Sequence, residues 1–351
     1  MPTGSRAQLI EMVEAGEVLT RWDFSGQDLA GIDLSGVIAE ASSFQGCALA
    51  GANLRESVFV RCDFAGAVLS SAELGRASFD HCKLGGAAFG GAHLSEVNVT
   101  ESDLAGAVLQ GADLRASNFV KCNLRSANLR EALLEETNFI EPMLDETDFT
   151  SLVLTRVVLL QVDLRKARLD GVRLDRCALL DVNLAGLEWP GADLGKSQLM
   201  NADLTGAELS GARLAQCNFK GAKLTGAKLD GADLTQALLV EADLTGASLR
   251  GARMSGAVLA QAILTGADLT NAVLAQAYLK EARCAQTRWK GADLTYADLS
   301  LCDLTGADML GATFMRTSLH RARMDDALIV SDGVLPPDLE RIQAETWQPT
   351  H

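Results

Sequence analysis

Aromatic side chains are scarce in this chain, at 5% of residues, and only two of them are Tyr. Aromatics usually dominate the energetics of a core, so 351 residues with so few argue against an ordinary globular interior. His is also rare, with four copies, which leaves few general bases or imidazole metal ligands. Basic residues are in deficit, with 31 Lys and Arg against 46 Asp and Glu and a formal net charge of −15. That balance disfavours direct binding to nucleic acid or to an anionic membrane. It leaves room for basic protein partners, or for imitation of nucleic acid. No run of eighteen consecutive apolar residues occurs, so no transmembrane helix is expected. The start, MPTGSRAQLIEMVEAGEVLT, lacks a basic region, a long apolar run and a small-residue cleavage site. No secretory signal is therefore read. The expected location is the cytoplasm, with export by a signal-less route left open.

What the chain does have is a period of five. From Phe24 the positions Leu29, Leu34, Ala39, Phe44, Leu49, Leu54 and Phe59 follow in steps of five. The register runs unbroken to Ile329, giving 62 centres, and all eleven Phe fall on centres, as do Trp189 and Trp289. Two residues before each centre lies a small residue, such as Ala52, Ala112, Ala202, Ala232 or Ala267. Asp or Asn often stands between them, as at Asp103, Asn123, Asp203 and Asp243. The unit is A-(D/N)-L-x-x. Neither a helix nor a simple strand repeats at five, and a long array of one unit implies a repeat architecture.

This array resembles the pentapeptide-repeat family over residues 22 to 331. The resemblance implies an all-β, right-handed quadrilateral β-helix, one pentapeptide per side and four per coil. Strand alternation agrees, because residues two apart point to the same face. The centre and the small residue then point inward, and the other three face water. The expectation is roughly 15 coils and a rod on the order of 70 Å long, at about 4.8 Å per coil. Positions twenty apart should stack: Phe24 on Phe44 and Phe64, Phe59 on Phe79, Phe119 on Phe139, and Leu204 on Leu224 and Leu244.

Three segments are expected: a capping helix in residues 1–21, the array in 22–331, and a capping helix with tail in 332–351. An open β-helix end must be covered. Ser5 and Gln8 have capping-box spacing, and Gly16 fits a C-terminal stop. Leu9, Ile10, Met12 and Val13 are the residues expected over the first coil. Leu339, Ile342 and Trp347 would do the same at the far end. Such helices can instead mediate dimers. In the middle the small slot holds Pro142, Leu152, Val157 and Val162, which reads as a wider or slightly bent coil.

Chemistry is harder to find. Cys47, Cys62, Cys82, Cys122, Cys177, Cys217 and Cys302 occupy the small slot, and Cys284 is a centre. They read as small buried hydrophobes. No C-x-x-C spacing for zinc exists. His81, His93 and His320 fall on outward positions without a nucleophile and orienting carboxylate, and His351 is the last residue. No catalytic residue, cofactor or metal site is expected, and the chain reads as a non-enzyme.

The outer surface is more informative. On one side, just after successive centres, come Val120, Ile140, Leu160, Leu180 and Met200, and Val240 follows Lys220. Val158 and Leu238 lie on the same side, and Leu133 and Val153 on the preceding one. Contiguous apolar surface marks an interface, so Val120, Ile140, Val158, Leu160, Leu180, Met200, Leu238 and Val240 are the candidate partner-binding residues. The partner is a protein or a second copy of the chain. Two family roles bear on this. The opening AQLIEMVEAGEVLTRWDFSGQDLAGIDLSG is similar to the starts of arrays found with type VI secretion spike and effector-loading components, which implies a scaffold or adaptor. Other family members imitate DNA and bind DNA gyrase, which the acidic balance fits. Arg125, Arg165, Lys166, Arg213 and Lys223 interrupt any clean anionic track.

Overall fold

Three residues between corners leave no room for a long strand. The computed structural model describes residues 1–329 and shows a parallel β-solenoid that turns a corner at every fifth residue. Its packing divides into two compact units, Met1–Ala178 and Leu179–His351. Corner residues such as Gly26, Gly31 and Gly36 hold φ of 64–69°. Non-glycine residues, Glu56 at 59° and Arg61 at 53° among them, take the same left-handed backbone. Their strain is offset by pairing between turns: Gly26 N–H donates to Gln45 O at 2.8 Å and Glu56 N–H to Gly75 O at 3.0 Å.

The first unit opens with α1 (Arg6–Glu14). Ser5 Oγ accepts from Gln8 N–H at 3.3 Å, and Gln8 Oε1 accepts from Ser5 N–H at 2.9 Å. The expected capping box is therefore formed. Gly16 ends the helix at φ 69°. There Gly16 N–H donates to Val13 O at 3.0 Å and Glu17 N–H to Met12 O at 2.9 Å, a Schellman stop. Leu9 is fully buried and Met12 and Val13 are half-buried, but Ile10 is exposed. The expectation that Ile10 faces inward is corrected; at 100° per residue it lies off the stripe that Leu9 anchors. Arg6 latches the helix to the first turn by donating to the carbonyls of Asp28 at 3.0 Å and Ala30 at 3.1 Å. This is the one helix among the described residues. The second expected helix, in 332–351, lies outside them.

Strands follow in order: β1 (Leu19–Thr20), β2 (Ile38–Glu40), β3 (Val58–Val60), β4 (Ser78–Asp80), β5 (Asn98–Thr100), β6 (Asn118–Val120), β7 (Asn138–Ile140), β8 (Val153–Thr155), β9 (Val158–Leu160), β10 (Arg173–Asp175) and β11 (Ala178–Leu180). In the first unit β1 to β7 and then β9 form one parallel sheet. Its register steps by twenty, Phe59 against Phe79 and Phe119 against Phe139. β8 pairs with β10 on another side. Against an expectation of about fifteen coils for the whole array, the short strands of the main sheet mark about eight turns, those of the first unit, and single bridges carry the step of twenty through the second. Elsewhere a side is held by a single bridge, such as Asp23 to Ser43 or Asp203 to Lys223. The reason lies in the corners.

Two kinds of corner occur. At a closed corner the small-slot N–H donates back three residues, as Cys47 to Phe44 O at 3.1 Å and Ala52 to Leu49 O at 3.0 Å. With φ positive two residues after the centre this is a type II turn. The strands of the main sheet instead run into open corners at Ala41, Arg61, His81, Glu101 and Lys121, where that bond is not made. The slot N–H then needs another acceptor. Trp22 N–H finds Ser42 Oγ at 3.0 Å and Cys82 N–H finds Ser102 Oγ at 2.9 Å. Pro142, buried in the same column, has no N–H to satisfy. Leu152, Val157 and Val162 are likewise buried, with the register kept by β8 to β10.

Phe rings stack as expected: Phe24 on Phe44 at 5.5 Å, Phe44 on Phe64 at 4.8 Å, Phe59 on Phe79 at 5.1 Å and Phe119 on Phe139 at 5.3 Å. Edge contacts join the columns, Phe59 to Phe64 at 4.9 Å.

In the second unit the bridges Asp203–Lys223 and Lys223–Asp243 set Leu204, Leu224 and Leu244 on successive turns. All three are at most 1% exposed. Closed corners prevail there, as Ala202 N–H to Leu199 O at 3.2 Å and Ala232 N–H to Leu229 O at 3.0 Å.

The recurrent Asp before the centre pins its own turn. Its carboxylate accepts the N–H two residues on: Asp33 from Ser35 at 3.0 Å, Asp243 from Thr245 at 2.9 Å, Asp303 from Thr305 at 3.1 Å. Bonds from Ser25, Ser35 and Thr305 hold Asp23, Asp33 and Asp303 below the usual carboxylate range. At Asp243 and Asp268 burial pushes upward, and the Thr245 and Thr270 bonds outweigh it. A folded-state pKa below the unfolded one means stability that is present above the unfolded value of about 4 and is lost as pH falls through the folded values. Urea melts should therefore give a flat midpoint from about pH 5 to 8 and a progressive fall below about pH 4. A midpoint unchanged at pH 3 would remove the Asp bonds from the account.

Candidate functional site

The candidate apolar residues fall into one group in each unit. In the first, Val120 pairs in register with Ile140, and Ile140 with Leu160, on β6, β7 and β9. Val158 lies in the parallel column, beside Asn138. That column carries an amide ladder: Asn118 Nδ2 donates to Asn98 Oδ1 at 2.8 Å, and Asn138 Nδ2 to Asn118 Oδ1 at 2.7 Å. The ladder makes one edge of the face flat and polar, with the apolar column along the other. Val120, Ile140, Val158 and Leu160 are each half-buried rather than open. Rungs about 4.8 Å apart let each side chain shield the next.

In the second unit Asp181 N–H donates to Met200 O at 3.2 Å, which sets Leu180 and Met200 on successive turns. Both are half-buried. Lys220 neighbours Val240, since Gly221 N–H reaches Val240 O at 3.0 Å. Leu238 is exposed at 42% and bridges to Val258, which bridges to Tyr278, itself exposed at 39%. Tyr296 lies further on, with the Arg316 guanidinium 5.6 Å from its ring centre.

Val258, Tyr278 and Tyr296 are not among the residues expected from the sequence, although the step of twenty from Leu238 reaches the first two. A second omission is at the start of the first unit, where Val18, Ile38 and Val58 are exposed on consecutive turns. Leu133 and Val153, on the preceding side, are more open than any of the eight, at 51% and 59%.

Charged groups outside these faces mostly pair between turns. Arg55 meets Glu73 at 2.6 Å, Arg76 meets Glu96 at 3.0 Å, and Arg253 meets Asp233 at 2.5 Å. The first two pairs line a depression of about 300 Å³ over Gly75. His81 lies 3.0 Å from both Asp80 and Glu101. All eight cysteines are free and buried. Burial pushes the thiols of Cys47, Cys122 and Cys177 up to about 11 and that of Cys217 to about 12. Such thiols carry little thiolate at neutral pH and are poor nucleophiles. Their S–H groups instead tie one turn to another. Cys47 donates to Phe24 O at 2.9 Å and Cys217 to Leu194 O at 2.9 Å. Ser57 and Thr137 make the same bond, at 2.7 and 2.8 Å. Among the described residues, no group of three or more His, Cys, Asp or Glu is placed to hold a metal ion, and no helix is long and apolar enough to cross a membrane.

A parallel β-solenoid built from pentapeptide turns defines a class of repeat protein. The profile described as "Pentapeptide repeats (8 copies)" matches the sequence in twelve overlapping windows from residue 19 to residue 328, and the chain belongs to that family. No curated protein matches it. Among solved structures, HetL, a pentapeptide repeat protein involved in heterocyst differentiation regulation from Nostoc sp. strain PCC 7120, is 22% identical, covering 89% of this chain and 98% of its own, with a TM-score of 0.26. A trypsin-treated form of QnrB1, a plasmid-mediated fluoroquinolone resistance protein, is 22% identical over 57% of this chain and 90% of its own, with a TM-score of 0.41. A pentapeptide repeat protein of the Arabidopsis thaliana thylakoid lumen is 31% identical over 36% of this chain and 67% of its own, with a TM-score of 0.18.

Proposed function

We propose that this protein is a non-catalytic scaffold that holds a protein partner against the β6–β7–β9 face of its first unit. The carrying observation is the in-register column Val120, Ile140 and Leu160. It offers apolar side chains on a flat sheet that the chain itself leaves half open. A partner that covers such a column removes apolar surface from water, at about 25 cal/mol per Å². The Leu238, Val258 and Tyr278 column of the second unit has the same character. The partner we assign is a spike or effector component of a bacterial type VI secretion system. The likeness of the opening residues, from Ala7 to Gly36, supports this.

Leu160→Glu is the test. Captured from a lysate holding a spike or effector component, the variant should retain the circular dichroism of the parent and lose at least tenfold in capture. Unchanged capture by a folded variant rejects this face. The net charge of −15 favours one other reading, a DNA mimic that binds DNA gyrase. Inhibition of supercoiling at submicromolar protein would establish that reading in place of the scaffold. A second copy of the chain on the face would appear as a dimer that Leu160→Glu dissociates.

A further inference from the structure

Along the open corners of the first unit runs one slot column: Ser42, Cys62, Cys82, Ser102 and Cys122. The hydroxyls among them accept the slot N–H of the turn before, Ser42 from Trp22 at 3.0 Å and Ser102 from Cys82 at 2.9 Å. The thiols donate to a carbonyl of that turn, Cys62 to Ala39 O at 3.4 Å, Cys82 to Phe59 O at 3.3 Å and Cys122 to Val99 O at 3.2 Å. A hydroxyl is a better acceptor than sulfur, and Ser fills this slot at 42 and 102. The ladder alone therefore gives no reason for sulfur at two consecutive turns.

Cys62 and Cys82 differ from the other slot cysteines by standing directly over one another. The register on either side of them is paired, Val60 with Asp80 and Asp63 with Lys83. Their Cα atoms are thus one rung apart, about 4.8 Å. That lies inside the window of about 4.4–6.8 Å that a disulfide spans. Both thiols point the same way, each donating to a carbonyl of the turn before: Cys62 to Ala39 O at 3.4 Å and Cys82 to Phe59 O at 3.3 Å. Cys284 and Cys302 also lie on adjacent turns, but they are eighteen apart in a register of twenty. Their offset is diagonal, with Cα atoms about 7–8 Å apart, beyond the reach of a disulfide without backbone movement.

We propose that Cys62 and Cys82 form a redox-modification site, closed to a disulfide by a peroxide. The Cys62 thiolate attacks one peroxide oxygen and the O–O bond breaks. This gives a sulfenic acid on Cys62 and, after protonation of the leaving oxygen, a first water. The Cys82 sulfur then attacks the Cys62 sulfur, the S–O bond breaks, and the hydroxide leaves with the Cys82 proton as a second water. Two thiols lose two electrons, which the peroxide gains. The neighbouring Cys82 thiol pushes the Cys62 pKa down, while Cys62 and burial push that of Cys82 up. This assigns attack to Cys62 and resolution to Cys82. Both are at most 2% exposed, so the reaction proceeds when the neighbouring open corners at Arg61 and His81 part. The product bolts two adjacent turns together and leaves the outer face intact.

The full chain is treated with hydrogen peroxide, its fold followed by circular dichroism, and the disulfides mapped by peptide mass spectrometry. The expected result is a fall of two in the eight titratable thiols, a Cys62–Cys82 linkage reversed by dithiothreitol, and a higher Tm in the oxidised form. Cys62→Ser and Cys82→Ser, which keep a slot residue the column already uses, should abolish both the linkage and the rise in Tm. Linkage at Cys284–Cys302 instead, sulfinic acid without a linkage, or eight thiols surviving in the folded protein would each overturn the proposal.

Discussion

Phe64→Ala should lower the stability of the first unit by about 3–5 kcal/mol. The ring is fully buried. It stacks on Phe44 at 4.8 Å and 11°, and meets Phe59 at 4.9 Å and Phe79 at 5.6 Å edge-on. Alanine would leave a void at the crossing of two aromatic columns, and rungs held by backbone hydrogen bonds to both neighbouring turns cannot collapse into it. Phe64→Leu should cost less, about 1.5 kcal/mol or under, because Leu84 fills the next place in the same column. Urea unfolding followed by circular dichroism reads both values. Equal losses for Ala and Leu would mean that the stack, rather than filled volume, sets the stability.

Leu224→Asp should have an effect at least as large in the second unit, above about 4 kcal/mol. Its side chain lies between those of Leu204 and Leu244, one turn away on each side. No donor in the shaft could pair a carboxylate there, and a buried unpaired charge is among the costliest changes. Turns contact mainly their neighbours, so the damage should be local. Hydrogen exchange should accelerate first at Lys223, Leu224 and Leu244, whose amides bond across these turns. The adjacent outward substitution Lys223→Ala should stay within about 0.5 kcal/mol. Comparable losses at the two positions would contradict the assignment of Leu224 to the interior.

Much of this architecture was legible in the residues. Every one of the eleven Phe sits on a centre, and all eleven are buried. That follows from sterics within one strand: residues two apart share a face, so centre and slot go inward together. Ser5 and Gln8 announced α1 for a similarly local reason, since both halves of the box lie within four residues. The candidate face was legible as a column, because a register of twenty follows from four equal sides. Its openness was not. Val120, Ile140 and Leu160 shield one another, and only the spacing between turns decides how much.

The sequence by itself determined the period, the inward residues, the stacked rings and the turn at each Asp, all of which depend on contacts within a few residues or on an exact repeat. Tertiary structure decided which corners close. Cys47 and Cys82 occupy the same place in the repeat, yet Cys47 N–H returns to Phe44 O, while Cys82 N–H reaches the Ser102 hydroxyl of the next turn. Whether an amide is satisfied within its own turn or by the next one is a property of stacked turns. So is the register of twenty that sets Cys82 directly over Cys62 and leaves Cys302 offset by two from Cys284.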